Sequence, residues 1–340
     1  EGRLRRPAMT DGRVRVGPAA AAPPCRICGS MQVAARHTAL EMMNGTREAH
    51  AYAQCAACGC LQIERIPDDL SRHYAGGYYS YTAPQRPANP LRRWAAHARH
   101  RWALHGRDPL GWLMYRRAAA PAMRALRPLR LRPGSRVLDV GCGAGLLIFE
   151  LAELGARAVL GIDPYIEADR AYDNGARVLK RDLDAAPGRW DVVMFHHAFE
   201  HVPDPVATLR RTHALLDAGG HCLLRVPTVS SWAWRHYGVD WVQLDAPRHL
   251  YLFARESITH LAAATGFELV DVRDDSDAFQ FWGSEQYRRG IPLRDARSHA
   301  VNPAGGLFSR RELADWSRRA DELNRQGQGD QAAFLLRRRP

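Results

Sequence analysis

The sequence lacks any long apolar run. No uninterrupted apolar stretch approaches the roughly 18 residues that a membrane-spanning helix requires, although 46% of the 340 residues are hydrophobic. The first residues contain several arginines and then a short alanine-proline run, without the apolar segment of a secretory signal peptide. We therefore expect no membrane span and a cytoplasmic protein. Residues 1–24 contain few large apolar groups and are expected to form a disordered tail.

Lysine is almost absent as well. Lys180 is the only lysine among 48 basic residues, and the formal net charge is +12. We interpret this charge as a solvated basic surface, with a specific polyanion site as the alternative, so nucleic acid is not the expected partner. A positive potential would still favour a phosphorylated or nucleotide-linked small molecule, because the arginine fork pairs well with phosphate.

Cysteine is also scarce, but its placement is informative. Four of the seven cysteines form two C-x-x-C pairs, and a glycine directly follows each pair. Such pairs are typical of structural zinc sites, in which four thiolates meet at a tetrahedral centre. Unmetallated thiols are the alternative, and a disulfide is the weaker one in a cytoplasmic protein. We predict a zinc-binding module at residues 25–66, with a hairpin at about residues 36–53. The expected ligands are Cys25, Cys28, Cys55 and Cys58.

A glycine-rich turn follows an apolar strand at residues 137–145, which read VLDVGCGAG. Glycines let the backbone turn tightly and approach a ligand, and the helix predicted at residues 146–154 begins with unpaired N–H groups. The spacing is G-x-G-x-G rather than the G-x-G-x-x-G of dinucleotide sites. A second strand, at residues 158–162, ends in Asp163, where an acidic residue can bind ribose hydroxyls. Because Asp139 is negative, this turn suits an adenine-bearing cofactor with a cationic amino-acid end.

With both acids in place, the chain resembles the class I S-adenosylmethionine-dependent methyltransferases over roughly residues 133–272. The resemblance continues through Asp182 and through a strand at residues 191–195, whose following loop is similar to that of small-molecule methyltransferases, including the ubiquinone-pathway type. It implies an α/β fold with a doubly wound, seven-stranded Rossmann-like sheet and a last strand near residues 332–337. It also implies that Asp139 contacts the amino-acid end of the cofactor, Asp163 the ribose and Asp182 the adenine. The implied cofactor-binding residues are Asp139, Gly141, Cys142, Gly143, Asp163, Asp182, Leu183 and His197.

Residues 197–201 spell H-x-x-E-H, the inverted zinc-protease motif. That chemistry needs both histidines on a regular helix, whereas this run directly follows a strand and is closed by Pro203 and Pro205. We interpret it as a loop beside the methyl donor, since ligands of open α/β sheets bind outside the carboxyl ends of the strands. The resemblance to ubiquinone-type O-methyltransferases implies metal-assisted deprotonation here, by a weakly bound divalent cation near Glu200. Capping of the helix that begins near Pro205 is the alternative role of Glu200.

An insertion at residues 227–250 is rich in aromatic residues, which at this rim usually form a substrate pocket. Its His249 is the expected general base, because imidazole titrates near neutrality; a structural histidine is the alternative. Glu200 and His201 are the other expected catalytic residues, and a further insertion covers residues 274–330. The expected substrate-binding residues are Tyr78, Tyr79, Tyr251 and Gln286.

Residues 67–132 combine a tyrosine-glycine segment with a helical pattern, in which apolar residues recur at three- and four-residue steps. We expect a linker or lid that packs on a methyltransferase domain at residues 133–340. Attachment to a membrane surface through Trp94 and Trp102 is the alternative.

A cysteine module, a tyrosine-rich segment and this domain, in that order, resemble sugar-nucleotide C-methyltransferases and methyltransferases of the cell-surface polysaccharide type. We predict an S-adenosylmethionine-dependent methyltransferase whose acceptor is a small molecule, such as a sugar nucleotide or a polysaccharide or secondary-metabolite precursor. One alternative is an RNA base methyltransferase with an N-terminal zinc module. The other is a non-catalytic ligand-binding protein. Oxygen, nitrogen and carbon all remain open as the accepting atom.

Overall fold

The computed structural model describes residues 23–74 and 81–340. Tyr78, Tyr79 and nearly all of the predicted tail therefore lie outside the described residues. The strands in chain order are β1 Val33–Leu40, β2 Ala49–Cys55, β3 Leu61–Ile63, β4 Arg136–Val140, β5 Ala158–Ile162, β6 Arg170–Ala171, β7 Arg177–Leu179, β8 Trp190–His196, β9 Leu216–Pro227, β10 Tyr251–Leu252, β11 Phe267–Asp274 and β12 Gln331–Arg338. The α-helices are α1 Pro90–His105, α2 Pro109–Arg117, α3 Pro121–Ala125, α4 Leu146–Glu153, α5 Pro205–Leu215, α6 Trp232–Tyr237, α7 Arg255–Ala264, α8 Phe279–Arg288 and α9 Arg310–Arg325.

The larger sheet has the strand order β11-β12-β9-β8-β4-β5-β7-β6. The strands from β9 to β7 pair in parallel, and β12 runs antiparallel to both of its neighbours. Seven of these strands form the predicted doubly wound sheet, with β12 as the predicted last strand, and the eighth is the two-residue β6. After β4 the chain forms β5 and β7 on one side of that strand, and then β8 and β9 on the other side. The carboxyl ends of β4 and its neighbours therefore form the crevice where such sheets bind ligands.

Proline starts four of the helices. Its fixed φ and missing N–H suit the first helical turn, and α1, α2, α3 and α5 each begin with one. The side chain of Asp204 accepts a hydrogen bond from the N–H of Ala207 and caps α5. The alternative prediction that Glu200 caps this helix is therefore wrong, because Glu200 is completely buried and the capping position belongs to Asp204.

The smaller sheet has the order β1-β2-β3-β10. β1 and β2 form the predicted antiparallel hairpin. The fourth strand, β10, pairs with β3 but belongs to the segment that follows the insertion at residues 227–250. One continuous hydrophobic core also runs from Tyr52 and Leu61 of this sheet to Phe199 and Phe253 of the larger domain. The N-terminal module is therefore completed by a strand from the C-terminal half of the chain.

Helices α1, α2 and α3 pack on the larger domain, as the helical pattern predicts. Ala103 and Leu104 of α1 share a second core with Met123 of α3 and with Val137 of β4. Within the described ranges, no helix has both the length and the apolar character needed to cross a membrane.

Candidate functional site

The four predicted zinc ligands come together. Sγ of Cys25 lies 3.6 Å from Sγ of Cys58, and Sγ of Cys28 lies 3.6 Å from Sγ of Cys55. All four sulfur atoms lie within 4.8 Å of one another. A tetrahedral zinc ion with bonds of about 2.3 Å separates its sulfur ligands by about 3.8 Å, so the cluster fits a structural zinc ion, and four protein ligands leave no open position.

The glycine loop lies at the carboxyl end of β4, and its shape requires glycine. Gly145 has a φ of 81°, and a Cβ atom there would lie 2.5 Å from Cγ2 of Val178. A Cβ atom on Gly141 would lie 2.6 Å from Cβ of Ala198. The glycine loop and the loop after β8 are therefore in direct contact, with no room for a side chain between them.

Asp139 is buried in this crevice, with 3% of its surface exposed. Its Oδ1 atom is buried and has no hydrogen-bond partner among the described residues. Burial, together with the nearby charge of Asp163, raises the pKa of Asp139 to about 8. A buried carboxylate oxygen without a partner fits the cationic amino-acid end of S-adenosylmethionine, which would supply both a donor and a compensating charge.

Asp163 follows β5 and holds the glycine loop in place. Its Oδ2 accepts a hydrogen bond from the N–H of Gly143 at 2.9 Å, and its Oδ1 accepts one from the N–H of Tyr165 at 2.8 Å. Asp182 follows β7, is exposed, and accepts a hydrogen bond from the N–H of Ala185. The three acids thus lie at the carboxyl ends of three adjacent strands, and Leu183 is half-buried beside Asp182.

The other predicted cofactor residues have different environments. Cys142 packs against β5, where a Cβ atom on Gly161 would lie 2.4 Å from Sγ of Cys142. His197 adopts a positive φ of 51° directly after β8 and donates its N–H to the carbonyl of Arg225. The Nδ1 atom of His197 lies 3.4 Å from Oε1 of Glu200, which places this ring beside the predicted catalytic residues.

Glu200, His201 and His249 form one cluster, in which a ligand atom of each residue lies within 4.8 Å of the others. Glu200 is completely buried, and Nε2 of His249 lies 3.9 Å from its Oε1. Burial opposes ionisation of Glu200, but the surrounding imidazoles, including that of His197, lower its pKa below the usual value. Ala198 lies two residues before Glu200 and packs against Gly141 of the glycine loop.

Hydrogen bonds fix the proton positions on the two imidazoles of this cluster. Nδ1 of His249 lies 2.7 Å from the carbonyl oxygen of Gln243, and Nδ1 of His201 lies 2.8 Å from the carbonyl oxygen of Arg248. A carbonyl oxygen only accepts, so each neutral ring carries its proton on Nδ1. Both Nε2 atoms are therefore left with a lone pair, and that of His249 lies 3.9 Å from Oε1 of Glu200 and 3.8 Å from Oδ2 of Asp245.

Known proteins are similar to this chain in sequence over the region that contains the crevice. Residues 112–272 match a family model described as a methyltransferase domain. A ubiquinone biosynthesis O-methyltransferase from Burkholderia thailandensis is 30% identical over 173 residues, which cover 44% of this chain and 74% of the relative. The chain belongs to the S-adenosylmethionine-dependent methyltransferases.

Two further proteins are similar over a shorter part of their length or at a lower identity. A ubiquinone biosynthesis O-methyltransferase from Xanthomonas euvesicatoria is 40% identical over 121 residues, which span 30% of this chain and half of that protein. A solved S-adenosylmethionine-dependent methyltransferase from Mesorhizobium loti is 21% identical, with a TM-score of 0.41 over 65% of this chain and 99% of that one.

Two residues predicted to bind the substrate of this methyltransferase have other partners. Tyr251 is completely buried, and its hydroxyl donates to the carbonyl of Pro203 at 2.8 Å. Gln286 is also completely buried in α8 and is hydrogen-bonded to Ser298. Both predictions conflict with this packing, because neither side chain presents a free polar atom to an acceptor.

The sequence interpretation missed an ion network that supports the methyltransferase site. Arg248 is completely buried and forms ion pairs with Asp245 and with Glu41 of the N-terminal module. Its guanidinium also donates to the carbonyl of His73 at 3.1 Å. Glu41 is itself buried, and it accepts the N–H groups of Asn44 and Thr46. The available signal was the opposite charges of Asp245 and Arg248, three residues apart in an insertion that is otherwise rich in aromatic residues.

Proposed function

We propose that this methyltransferase transfers the methyl group of S-adenosylmethionine to a hydroxyl oxygen of a small-molecule acceptor, and that His249 accepts the hydroxyl proton. One observation carries the proposal. Nε2 of His249 has a free lone pair beside the buried carboxylate of Glu200, and Glu200 lies two residues after Ala198, which packs against Gly141 of the glycine loop.

Bound S-adenosylmethionine supplies a methyl group on a positively charged sulfur, so the leaving group needs no acid catalyst. The chain has three tasks: to align the donor and acceptor, to exclude water and to remove one proton. Asp139 would bind the ammonium group, Asp163 the ribose hydroxyls and Asp182 the adenine. Proton transfer to Nε2 of His249 would create an imidazolium, and the Glu200 carboxylate would stabilise that charge.

The same cluster also fits a weakly held divalent cation. Glu200 offers two buried oxygens without hydrogen-bond partners among the described residues, and two imidazoles offer nitrogen lone pairs beside them. Such a cation would lower the pKa of an acceptor hydroxyl bound next to it. In that arrangement Nε2 of His249 is a ligand rather than the base, so sensitivity to chelators distinguishes the two roles.

The hydroxyl acceptor is supported by the names of the relatives, which are O-methyltransferases of ubiquinone biosynthesis. The chain does not cover the whole length of those proteins, so the acceptor is defined only by its chemistry. We propose a hydroxylated small molecule as the acceptor. Phenols, sugar nucleotides and polysaccharide precursors are all candidates. The phosphorylated ones are included because the positive net charge of the chain suits phosphate groups.

The test is methyl transfer to a panel of phenols and nucleotide sugars, followed by mass spectrometry. We expect His249→Gln to lower kcat by about 10²- to 10⁴-fold, the usual contribution of a general base, with unchanged affinity for S-adenosylhomocysteine. His260→Gln, which changes an exposed histidine on α7, is the matched control. A chelator should leave activity intact if His249 is the base. Full activity of His249→Gln, or a methyl group found on nitrogen or carbon, would contradict the proposal.

A further inference from the structure

A second group of metal-ligating side chains lies in the N-terminal module, outside both the cysteine centre and the catalytic cluster. Glu48 precedes β2, His50 lies in β2, and His73 ends a single 3-10 turn at Ser71–His73. One ligand atom of each residue lies within 4.8 Å of the other two. The two imidazoles meet edge to face, with ring centroids 6.0 Å apart.

Both imidazoles have a buried nitrogen without a partner. Nε2 of His50 and Nε2 of His73 have no hydrogen-bond partner among the described residues. A buried polar atom left without a partner destabilises the folded protein, and a bound metal ion would remove that cost.

The third ligand is engaged by a surface arginine. The guanidinium of Arg72 contacts both carboxylate oxygens of Glu48, at 2.7 and 2.9 Å, and both side chains are substantially exposed. An exposed pair of this kind contributes little to stability, because water screens the two charges. A cation that binds Glu48 therefore has only a weak competitor to displace. The other charged groups near the two imidazoles, Glu41 and Arg248, are already paired with each other.

We propose that Glu48, His50 and His73 bind a divalent transition-metal ion such as zinc, cobalt or nickel. Two imidazole nitrogens and one carboxylate oxygen favour these ions over magnesium and calcium, which prefer sets of oxygen ligands. In a tetrahedral site, bonds of about 2.0–2.2 Å separate neighbouring ligand atoms by about 3.3–3.6 Å, and the three ligand atoms lie within 4.8 Å of one another. Rotation of Glu48 away from Arg72 would free its carboxylate for the ion.

The position of His73 links this site to the acceptor side of the enzyme. Its carbonyl accepts a hydrogen bond from Arg248, and the hydroxyl of the next residue, Tyr74, lies 3.2 Å from Nδ1 of His201. An ion bound to His73 would therefore fix a segment that contacts both the buried ion network and the catalytic loop.

The experiment is a calorimetric titration of untagged, full-length, zinc-containing protein with nickel. A His201→Gln/His249→Gln background removes the catalytic cluster as a second nickel site. We expect one equivalent of nickel to bind in this background. His50→Gln and His73→Gln should each weaken binding at least about ten-fold, whereas the control His260→Gln should leave it unchanged. Absence of nickel binding in the background, or histidine variants that bind nickel as tightly as the background does, would overturn the proposal.

Arg72→Gln provides a test that does not remove a ligand. Freeing Glu48 from its arginine should tighten nickel binding, by up to about five-fold for a pair worth 1 kcal/mol. Elemental analysis of cysteine-bound zinc checks that each variant is folded. If the histidine variants lose that zinc, the comparison of Arg72→Gln with Glu48→Gln decides the question. Tighter binding in the first and weaker binding in the second support the site, and equal binding in both contradicts it.

Discussion

The cysteine centre and the proposed catalytic cluster of Glu200, His201 and His249 are built in opposite ways. The cysteine centre takes its ligands from two short turns, Cys25–Cys28 and Cys55–Cys58, each with the same hydrogen bond from a glycine N–H back to the first cysteine. The catalytic cluster takes Glu200 and His201 from one loop and His249 from an insertion. Local spacing therefore determines the first site, whereas the second depends on the packing of distant segments.

The two regions are nevertheless connected physically. The hydroxyl of Tyr52, in the cysteine module, donates to the carbonyl of His249 at 2.8 Å. The guanidinium of Arg26, which lies between Cys25 and Cys28 in the sequence, is 5.9 Å from the ring centroid of Tyr251 in β10. The locally determined site thus supports the insertion that carries the proposed base. If this support matters, damage to the cysteine centre should also impair catalysis.

The largest expected effect is loss of the cysteine centre. Structural zinc contributes about 10–16 kcal/mol in zinc-finger peptides, so Cys28→Ser should abolish zinc binding, unfold the module and strongly reduce methyl transfer. Elemental analysis and thermal denaturation measure these changes. Cys60→Ala is the control, because Cys60 is a completely buried cysteine of the same module that lies outside the four-sulfur cluster. Unchanged zinc content in Cys28→Ser would refute the four-thiolate site.

The next largest effect concerns the ion network between the two regions. Arg248→Met leaves Glu41 and Asp245 buried without their partner, which typically costs about 3–5 kcal/mol. It should also displace His249 and lower kcat. Arg337→Met is the control, since its ion pair with Glu268 is about half exposed and is worth about 0–1 kcal/mol. Equal stability of the two variants in urea would show that the network does not join the regions.

The same contrast explains what the sequence predicts and what it does not. The parallel strands, the glycine loop and the hairpin of β1 and β2 all follow from residues close together in the chain. The pairing of β10 with β3 and the contact between Glu41 and Arg248, which are 207 residues apart, do not. The burial of Tyr251 and Gln286 is likewise a consequence of tertiary packing, because neither residue type nor spacing distinguishes a pocket from a core.

Cofactor binding belongs to the locally determined part, and Asp139→Asn tests it separately. Hydrogen bonds to charged groups contribute about 1.5–3 kcal/mol, so affinity for S-adenosylhomocysteine should fall by about 10- to 150-fold. The melting temperature without ligand should change little, because the asparagine keeps the shape of the side chain. Asp184→Asn, at an exposed site near Asp182, serves as control. Equal affinity in both variants, measured by calorimetry, would exclude Asp139 as a cofactor ligand.

The smallest expected effect is the pH dependence of cofactor affinity. Burial and the charge of Asp163 raise the pKa of Asp139 to about 8 in the ligand-free protein. An ammonium group bound beside Asp139 favours the ionised carboxylate and lowers this pKa, so binding below pH 8 releases a proton. Affinity for S-adenosylhomocysteine should therefore rise between pH 6 and pH 8, by at most about ten-fold per pH unit for one proton, and level off above. Calorimetry in buffers of different ionisation enthalpy measures the released proton directly. Asp139→Asn should show neither the slope nor the proton, whereas a flat wild-type profile would mean that Asp139 is already ionised before the cofactor binds.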